Sequence, residues 1–472
     1  QTLLLTRGIA PFTTIYGSRA MAWAAISSLV AVGVLWWPRF KGRDEWSGLV
    51  RGAVVITVLC AYAKLLILAH PDSIQGDSMF HVNRMRLVMR GVYYFTSDAP
   101  GGQFPYPISL YVIARAFTGL TGDWMFLLRT IVLATDALAG FALALVAAAG
   151  WRSARAGLIA LLLFHLIPAG FQVQAVAYLT NGFGQAVAVL ALCALVWLTR
   201  AEAGWPRWAV WGGAVTLFTI ALLAHVSTCL FLATQAVLWT GARALVERRV
   251  NGAWRSIGIV SAAIATALLL SAVLYYGHFS DLFLQRLSAS RSTSAAASTT
   301  PAAASAEPVG AGAQATANQA AVNQAEALPV QREEAHQTRW VPGSAALERR
   351  FNAVPRYATK YFGFAVMAAA LAGAWLLLRA RQDATSLLAW SWLITFAIFL
   401  ALGVLTPLDI RSYLAVFPAL ALLAGGALAH GWEQRTGNTA MALRVVSVLM
   451  LIWCIQNGVS YWFAWFGDRL PR

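Results

Sequence analysis

Apolar windows of the length that crosses a bilayer, about 20 residues, recur near 20–37, 52–70, 124–149, 156–172, 180–199, 208–225, 226–246, 256–276, 359–378, 385–404, 413–430 and 442–464. They predict an all-α polytopic membrane protein with about twelve transmembrane helices. Two intervals between windows are long, 71–123 and 277–358. Within the first, YPISLYVIARAFTGL (106–120) is apolar again, but it is short, begins beside Pro105 and Pro107 and carries Arg115. Loop charges decide how to count it. Read as a juxtamembrane helix, it leaves Arg39, Lys41, Arg43, Arg51, Arg152, Arg155, Arg200, Arg207, Arg243, Arg248, Arg249, Arg255, Arg379, Arg381, Arg435 and Arg444 on one side, as the positive-inside rule expects; read as a span, it moves Arg152 and Arg155 to the other. The first reading sends 71–123, the turns around Asn181 and His225, the loop 277–358 and TPLDIRSY (406–413) together to the external face.

Composition agrees: 59% of residues are hydrophobic and 11% charged, which places the chain in lipid rather than water. The formal charge of +16 resides in short loops beside apolar runs, where arginines set topology and meet anionic headgroups; no nucleic acid is expected as a partner. Cys60, Cys193, Cys229 and Cys454 all lie inside apolar windows with no metal-ligand spacing and read as packing residues. The chain opens on Gln1 without a signal-peptide pattern, which suggests a processed or incomplete start.

The organisation divides as an N-terminal span and cytoplasmic loop (1–51), a transmembrane module carrying the external loop 71–123 (52–276), a long external loop (277–358) and C-terminal transmembrane helices (359–472). Residues 288–326 are rich in Ala, Ser, Thr, Pro and Gln and lack the large apolar groups needed to fold alone; they read as a tether, with protein partners of a membrane complex as one use.

The densest polar interruption is HPDSIQGDSMFHVNRMRLVMRG (70–91), directly after a window whose sole charge is Lys64. A helix over 77–90 would place Asp77, His81 and Arg84 at i, i+4 and i+7 on one face, with Phe80, Leu87, Val88 and Met89 resting on the bilayer. Near the helix N-terminus the dipole favours an ionised Asp77, although a plain N-cap explains an aspartate there equally well. Elsewhere His165 reads as structural beside Pro168, Asn181 as a turn or cap residue, and Asp136 as the partner of a neighbouring helix, outside any site.

The order GDSMFHVNRM (76–85), FPYPISLYVIARAFTGL (104–120), an Arg129-bearing span, YLTNGFGQAVAVLAL (178–192), LLAHVSTCLFLA (222–233) and PLDIRSYLAVFPALALLAGGAL (407–428) resembles the C-class (GT-C fold) integral-membrane glycosyltransferases. That family uses polyprenyl-phosphate-linked sugars on the external face of the membrane. The resemblance implies a polyprenyl-phosphate-sugar donor, a multi-pass protein of the bacterial cytoplasmic membrane, and Asp77 at the family's acidic position as base in an inverting transfer. His81 would orient the base or bind sugar. Arg84, Arg115, Arg129 and Arg411 are candidate phosphate clamps, because a guanidinium offers a bidentate fork and stays charged; Asp409 accompanies Arg411, and His225 joins the substrate-binding set. Structural roles compete with these: snorkelling for Arg84 and Arg115, helix capping for His225, an ion pair for Asp409 and Arg411. Asp72 and Asp77 stand five apart across Gly76, unlike the paired acidic motif of metal-dependent members, so no metal or other cofactor is expected. Two other classes fit the same pattern. A lipid-linked glycan polymerase or ligase would act through His336, Arg339, Arg349, Arg350 or Arg356 of the long loop, and a noncatalytic glycosyltransferase-like subunit would hold partners through 288–326.

Overall fold

A computed structural model describes residues 44–68, 77–99, 102–199, 207–247, 253–282, 344–379, 383–405, 415–433 and 438–467. Every expected window except 20–37, which lies outside the described residues, falls on a helix. In chain order the helices are α1 (Asp44–Leu68), α2 (Ser78–Met89), α3 (Ser109–Arg115), α4 (Trp124–Trp151), α5 (Ala154–Leu166), α6 (Pro168–Ala175), α7 (Leu179–Thr199), α8 (Arg207–Leu222), α9 (Val226–Glu247), α10 (Ala253–Leu274), α11 (Ser344–Tyr361), α12 (Phe364–Arg379), α13 (Ala384–Leu405), α14 (Phe417–Glu433) and α15 (Asn438–Gly467). A short antiparallel hairpin, β1 (Thr96–Ala99) and β2 (Gly102–Pro105), pairs Thr96 with Pro105 and Ala99 with Gly102.

Among the described residues eight helices are long and apolar enough to cross a membrane, or nine if a bent pair counts as one span. Helices α8, α12 and α14, of 16, 16 and 17 residues, are shorter than a full crossing, so length alone does not bring the described residues to twelve. Two windows break where local chemistry requires it. The window 156–172 divides at Ile167, because Pro168 can begin a helix but cannot continue one. The window 359–378 turns through 96° between α11 and α12 at Gly363, whose φ of +76° is a conformation natural to glycine. The stretch 106–120 forms only the seven-residue α3 and a single turn at Thr118–Leu120, too short to span, as loop charge anticipates.

Small residues bring the central helices together. Helix α14 packs on α5 and α12 through Gly425, where an added Cβ would lie 2.6 Å from the Ala160 backbone nitrogen, and through Gly373 of α12 against Leu423. An ion pair inside the bundle ties three helices: Lys64 Nζ (α1) donates to Asp136 Oδ2 (α4) at 2.8 Å, and His165 Nδ1 (α5) stands 3.6 Å from the same oxygen, all three side chains being buried. Asp136 therefore has its partner on a neighbouring helix and His165 bonds across helices, as the sequence reading expects.

One end of the bundle carries an extra layer of α2, the hairpin and α3. Ser109 anchors it, its N–H donating to Leu223 O at 2.9 Å and its hydroxyl to Ile220 O at 3.0 Å. At the opposite end Ser153 bonds Glu433 at 2.7 Å, with Arg155 3.8 Å from the same carboxylate.

Candidate functional site

Helix α2 lies within this layer, with Asp77 at its N-cap. The expectation that its apolar side rests on the bilayer is corrected. Ser78, His81, Met85 and Val88 form the buried stripe, while Phe80, Leu87 and Met89 pack against the protein core. Once α2 is covered by the layer, protein contacts replace lipid contacts, and Met79, Arg86 and Arg90 are left outward. Asp77 makes no side-chain capping hydrogen bond, so the capping explanation of this aspartate does not hold, and its carboxylate is half-buried.

Around it the layer gathers residues from distant parts of the chain. His81 Nδ1 is 2.7 Å from the Tyr111 hydroxyl on α3. Burial pushes the His81 imidazole down to about 3, outweighing the Ala177 backbone that favours a proton, and the charges of His225, Arg84 and Arg129 act in the same direction. It is a neutral imidazole at physiological pH. Arg84 donates to Thr96 O at 3.1 Å, and its guanidinium sits 4.8 Å from the ring centres of both Phe80 and Phe95 and 5.9 Å from that of Tyr106. Rings on several sides hold the plane of that cation. Arg129, one turn into α4, reaches back to Leu68 O at 2.7 Å and to Ser78 Oγ at 3.3 Å, and so joins the end of α1 to the residue after Asp77.

Tyr106 and Tyr111 complete the group. The Tyr106 hydroxyl is 2.8 Å from Thr180 Oγ1 at the start of α7, and its carbonyl accepts a 2.5 Å hydrogen bond from the Tyr275 hydroxyl. Burial raises both phenols, Tyr106 to about 12, and the Asp77 carboxylate pushes each further up. His225, in the turn before α9, accepts a hydrogen bond from Ser227 N at 3.2 Å and lies 2.7 Å from Ser227 Oγ; its ring meets that of Tyr106 edge-on, centroids 6.2 Å apart. It caps α9 and faces the cluster at once.

Of the residues singled out from the sequence, Asp77, His81, Arg84, Arg129 and His225 come together here. Arg115 does not: it is exposed and hydrogen-bonds Tyr93, so it belongs to the rim. Asp409 and Arg411 lie outside the described residues, as do loop 288–326, His336 and Arg339. Tyr106, Tyr111, Ser78 and Thr180 were absent from the sequence-based set. The signal that could have found the tyrosines was the YP element, read there for order rather than chemistry. Among the described residues no group of three or more His, Cys, Asp or Glu side chains is arranged to hold a metal ion, and the four cysteines are free.

No family model and no curated protein matches the sequence. Solved structures do. The Archaeoglobus fulgidus oligosaccharyltransferase in its apo form superposes with a TM-score of 0.55 at 12% identity, covering 91% of this chain and 56% of that one. ArnT from Cupriavidus metallidurans bound to undecaprenyl phosphate gives 0.52 at 16% identity, covering 90% and 77%. The archaeal oligosaccharyltransferase AglB with an inhibitory peptide and a dolichol-phosphate gives 0.51 at 13%, covering 88% and 55%. The chain has the GT-C fold. This GT-C chain is a multi-pass membrane protein, and it spans little more than half the length of the oligosaccharyltransferases it resembles.

Proposed function

We propose that the protein is a membrane glycosyltransferase that moves a sugar from a polyprenyl-phosphate donor to an acceptor at the membrane face carrying α2, the hairpin and α3. The observation that carries this reading is the gathering of a carboxylate, Asp77, and two held guanidinium groups, Arg84 and Arg129, around His81, Tyr106 and Tyr111 at the rim of a bundle whose fold is shared with structures holding undecaprenyl phosphate and dolichol-phosphate. Transfer by single displacement needs a base on the acceptor hydroxyl and cations where the departing phosphate gathers charge. Asp77 serves as the base. Arg84 and Arg129 offer permanent charge that does not reorganise as the phosphate leaves, because rings, backbone carbonyls and Ser78 already hold them. His81, kept neutral by burial, hydrogen-bonds Tyr111 and sustains the wall behind Asp77 without adding a competing charge. On this reading a carboxylate acting directly as base and arginines facing the phosphate suit an inverting transfer without a divalent cation.

The experiment is a transfer assay in purified membranes with a radiolabelled polyprenyl-phosphate sugar. Asp77→Asn is expected to lower transfer by at least about a hundredfold with undecaprenyl-phosphate binding retained. Arg129→Met is expected to weaken that binding, and chelation by EDTA to change neither. Full transfer by Asp77→Asn would overturn the assignment of the base.

A further inference from the structure

The proposed chemistry leaves a costly feature of the bundle unused: the buried ion pair of Lys64 and Asp136, with His165 beside it. Opposite charges at such depth contribute little over apolar side chains of the same shape, because lost hydration offsets their attraction. What they supply is register. An apolar contact survives a small slide of one helix along another, whereas a buried charge that leaves its partner is stranded.

The pair lies on the same two helices as Arg129, and on the same faces of them. On α1, Lys64 stands one turn before Leu68, whose carbonyl accepts from Arg129 Nη1 at 2.7 Å; on α4, Asp136 stands two turns after Arg129. Leu68 meets the earlier residue of α4 and Lys64 the later, so the two helices run antiparallel. Leu65 of α1 packs with Phe126 and Leu133 of α4, residues that alternate with Arg129 and Asp136 along one helical stripe. Two polar links therefore cross one apolar seam, about 6 Å apart along α1.

Each link is held from a second side. Lys64 Nζ is 3.4 Å from His165 Nδ1 on α5, which fixes the lysine against a third helix. Arg129 also reaches Ser78 Oγ at 3.3 Å, the residue after Asp77. Leu68 O belongs to the last turn of α1, where carbonyls have no partner within the helix, so its place is set by where α1 lies on α4. A register shift of one residue would move that carbonyl by about 1.5 Å along the axis and about 100° around it, enough to break its bond to Arg129.

Resting on the reading of Arg129 as a cation for the donor phosphate, we infer that Lys64 and Asp136 are positioning residues, whose pairing sets the register of α1 on α4 and so holds Arg129 where the carrier phosphate meets it. They act through Leu68 and touch no substrate. A pair that served only stability could be exchanged for apolar side chains of similar volume without effect on binding; a pair that sets register could not.

The test uses the full chain in phosphatidylethanolamine–phosphatidylglycerol nanodiscs, with undecaprenyl phosphate as the probe and native mass spectrometry as the measure of binding. Lys64→Met combined with Asp136→Leu is expected to keep a Tm close to the parent's, because neither charge is left without its partner, yet to bind the probe about tenfold more weakly. Lys64→Gln combined with Asp136→Asn, closer in shape and still able to hydrogen-bond, is expected to lose about threefold and answers the same question if the apolar pair does not fold. The deciding readout is the cycle with Arg129→Met. Because the pair acts through Arg129, neither double variant is expected to lower affinity further in an Arg129→Met chain, whereas a general loosening of the bundle would multiply the losses. Parental affinity in the double variants, or losses that multiply with that of Arg129→Met, would overturn the positioning role and leave the reading of Arg129 standing. If Arg129→Met alone binds undecaprenyl phosphate as the parent does, the reading of Arg129 fails and the positioning role fails with it.

Discussion

At the scale of single residues, His81 separates a side chain's chemical type from its behaviour. An imidazole ordinarily titrates near 6.5, but this one, enclosed by α2, α3 and Ala177, is pushed down to about 3. Above pH 6.5 the folded and unfolded chains are both neutral at this position. Between 6.5 and 3 only the unfolded chain takes up the proton, so stability falls as pH drops through that window. His81→Gln is expected to show a shallower loss of Tm than the parent between pH 7 and pH 4 in detergent; parallel curves would show that His81 does not carry the effect. Ala177 holds φ at +59°, a left-handed conformation that costs an alanine about 1–2 kcal/mol, and it does so where the chain passes the His81 ring. The sequence offered no sign of this, because no property of an alanine marks a left-handed position.

At the scale of elements, α2 shows how a correct helix can be given the wrong surroundings. Spacing placed Asp77, His81 and Arg84 together, and the helix forms where expected, but apolar periodicity says only that a face is buried, not by what. Lipid and protein are equivalent partners for Met85 and Val88 until the hairpin and α3 fold over them. The ion pair in the bundle is the converse case. Lys64, Asp136 and His165 were visible as misfits in apolar windows, and a misfit charge in a membrane must find a partner, yet which of the possible partners it finds depends on how α1, α4 and α5 pack. Removing one member alone, by Lys64→Met or Asp136→Leu, is expected to cost about 3–5 kcal/mol, whereas the double variant is expected to recover most of it. Thermal unfolding in detergent checks this. Equal losses in the single and double variants would mean that packing, not charge pairing, governs the position.

At the scale of the whole molecule, the two ends of the bundle differ in charge and in chemistry. Met79, 48% exposed, lies at the end with the site, and Arg155, also exposed, at the end with Glu433. Met79→Cys and Arg155→Cys are expected to react with a membrane-impermeant maleimide from opposite sides of intact cells or sealed vesicles, Met79→Cys from outside; labelling of both from one side would overturn the arrangement of spans. The chain alone determined that this protein lives in a membrane and where most of its helices lie, because bilayer thickness, proline and glycine act locally and leave local marks. Only tertiary structure decided that Asp77 faces Tyr106 and Tyr111 while Arg115 stays at the rim, and that Asn181, Thr228 and Gln235 surround one void. Those relations join helices separated by many residues, and their energies come from burial and pairing that no single segment possesses before the bundle closes.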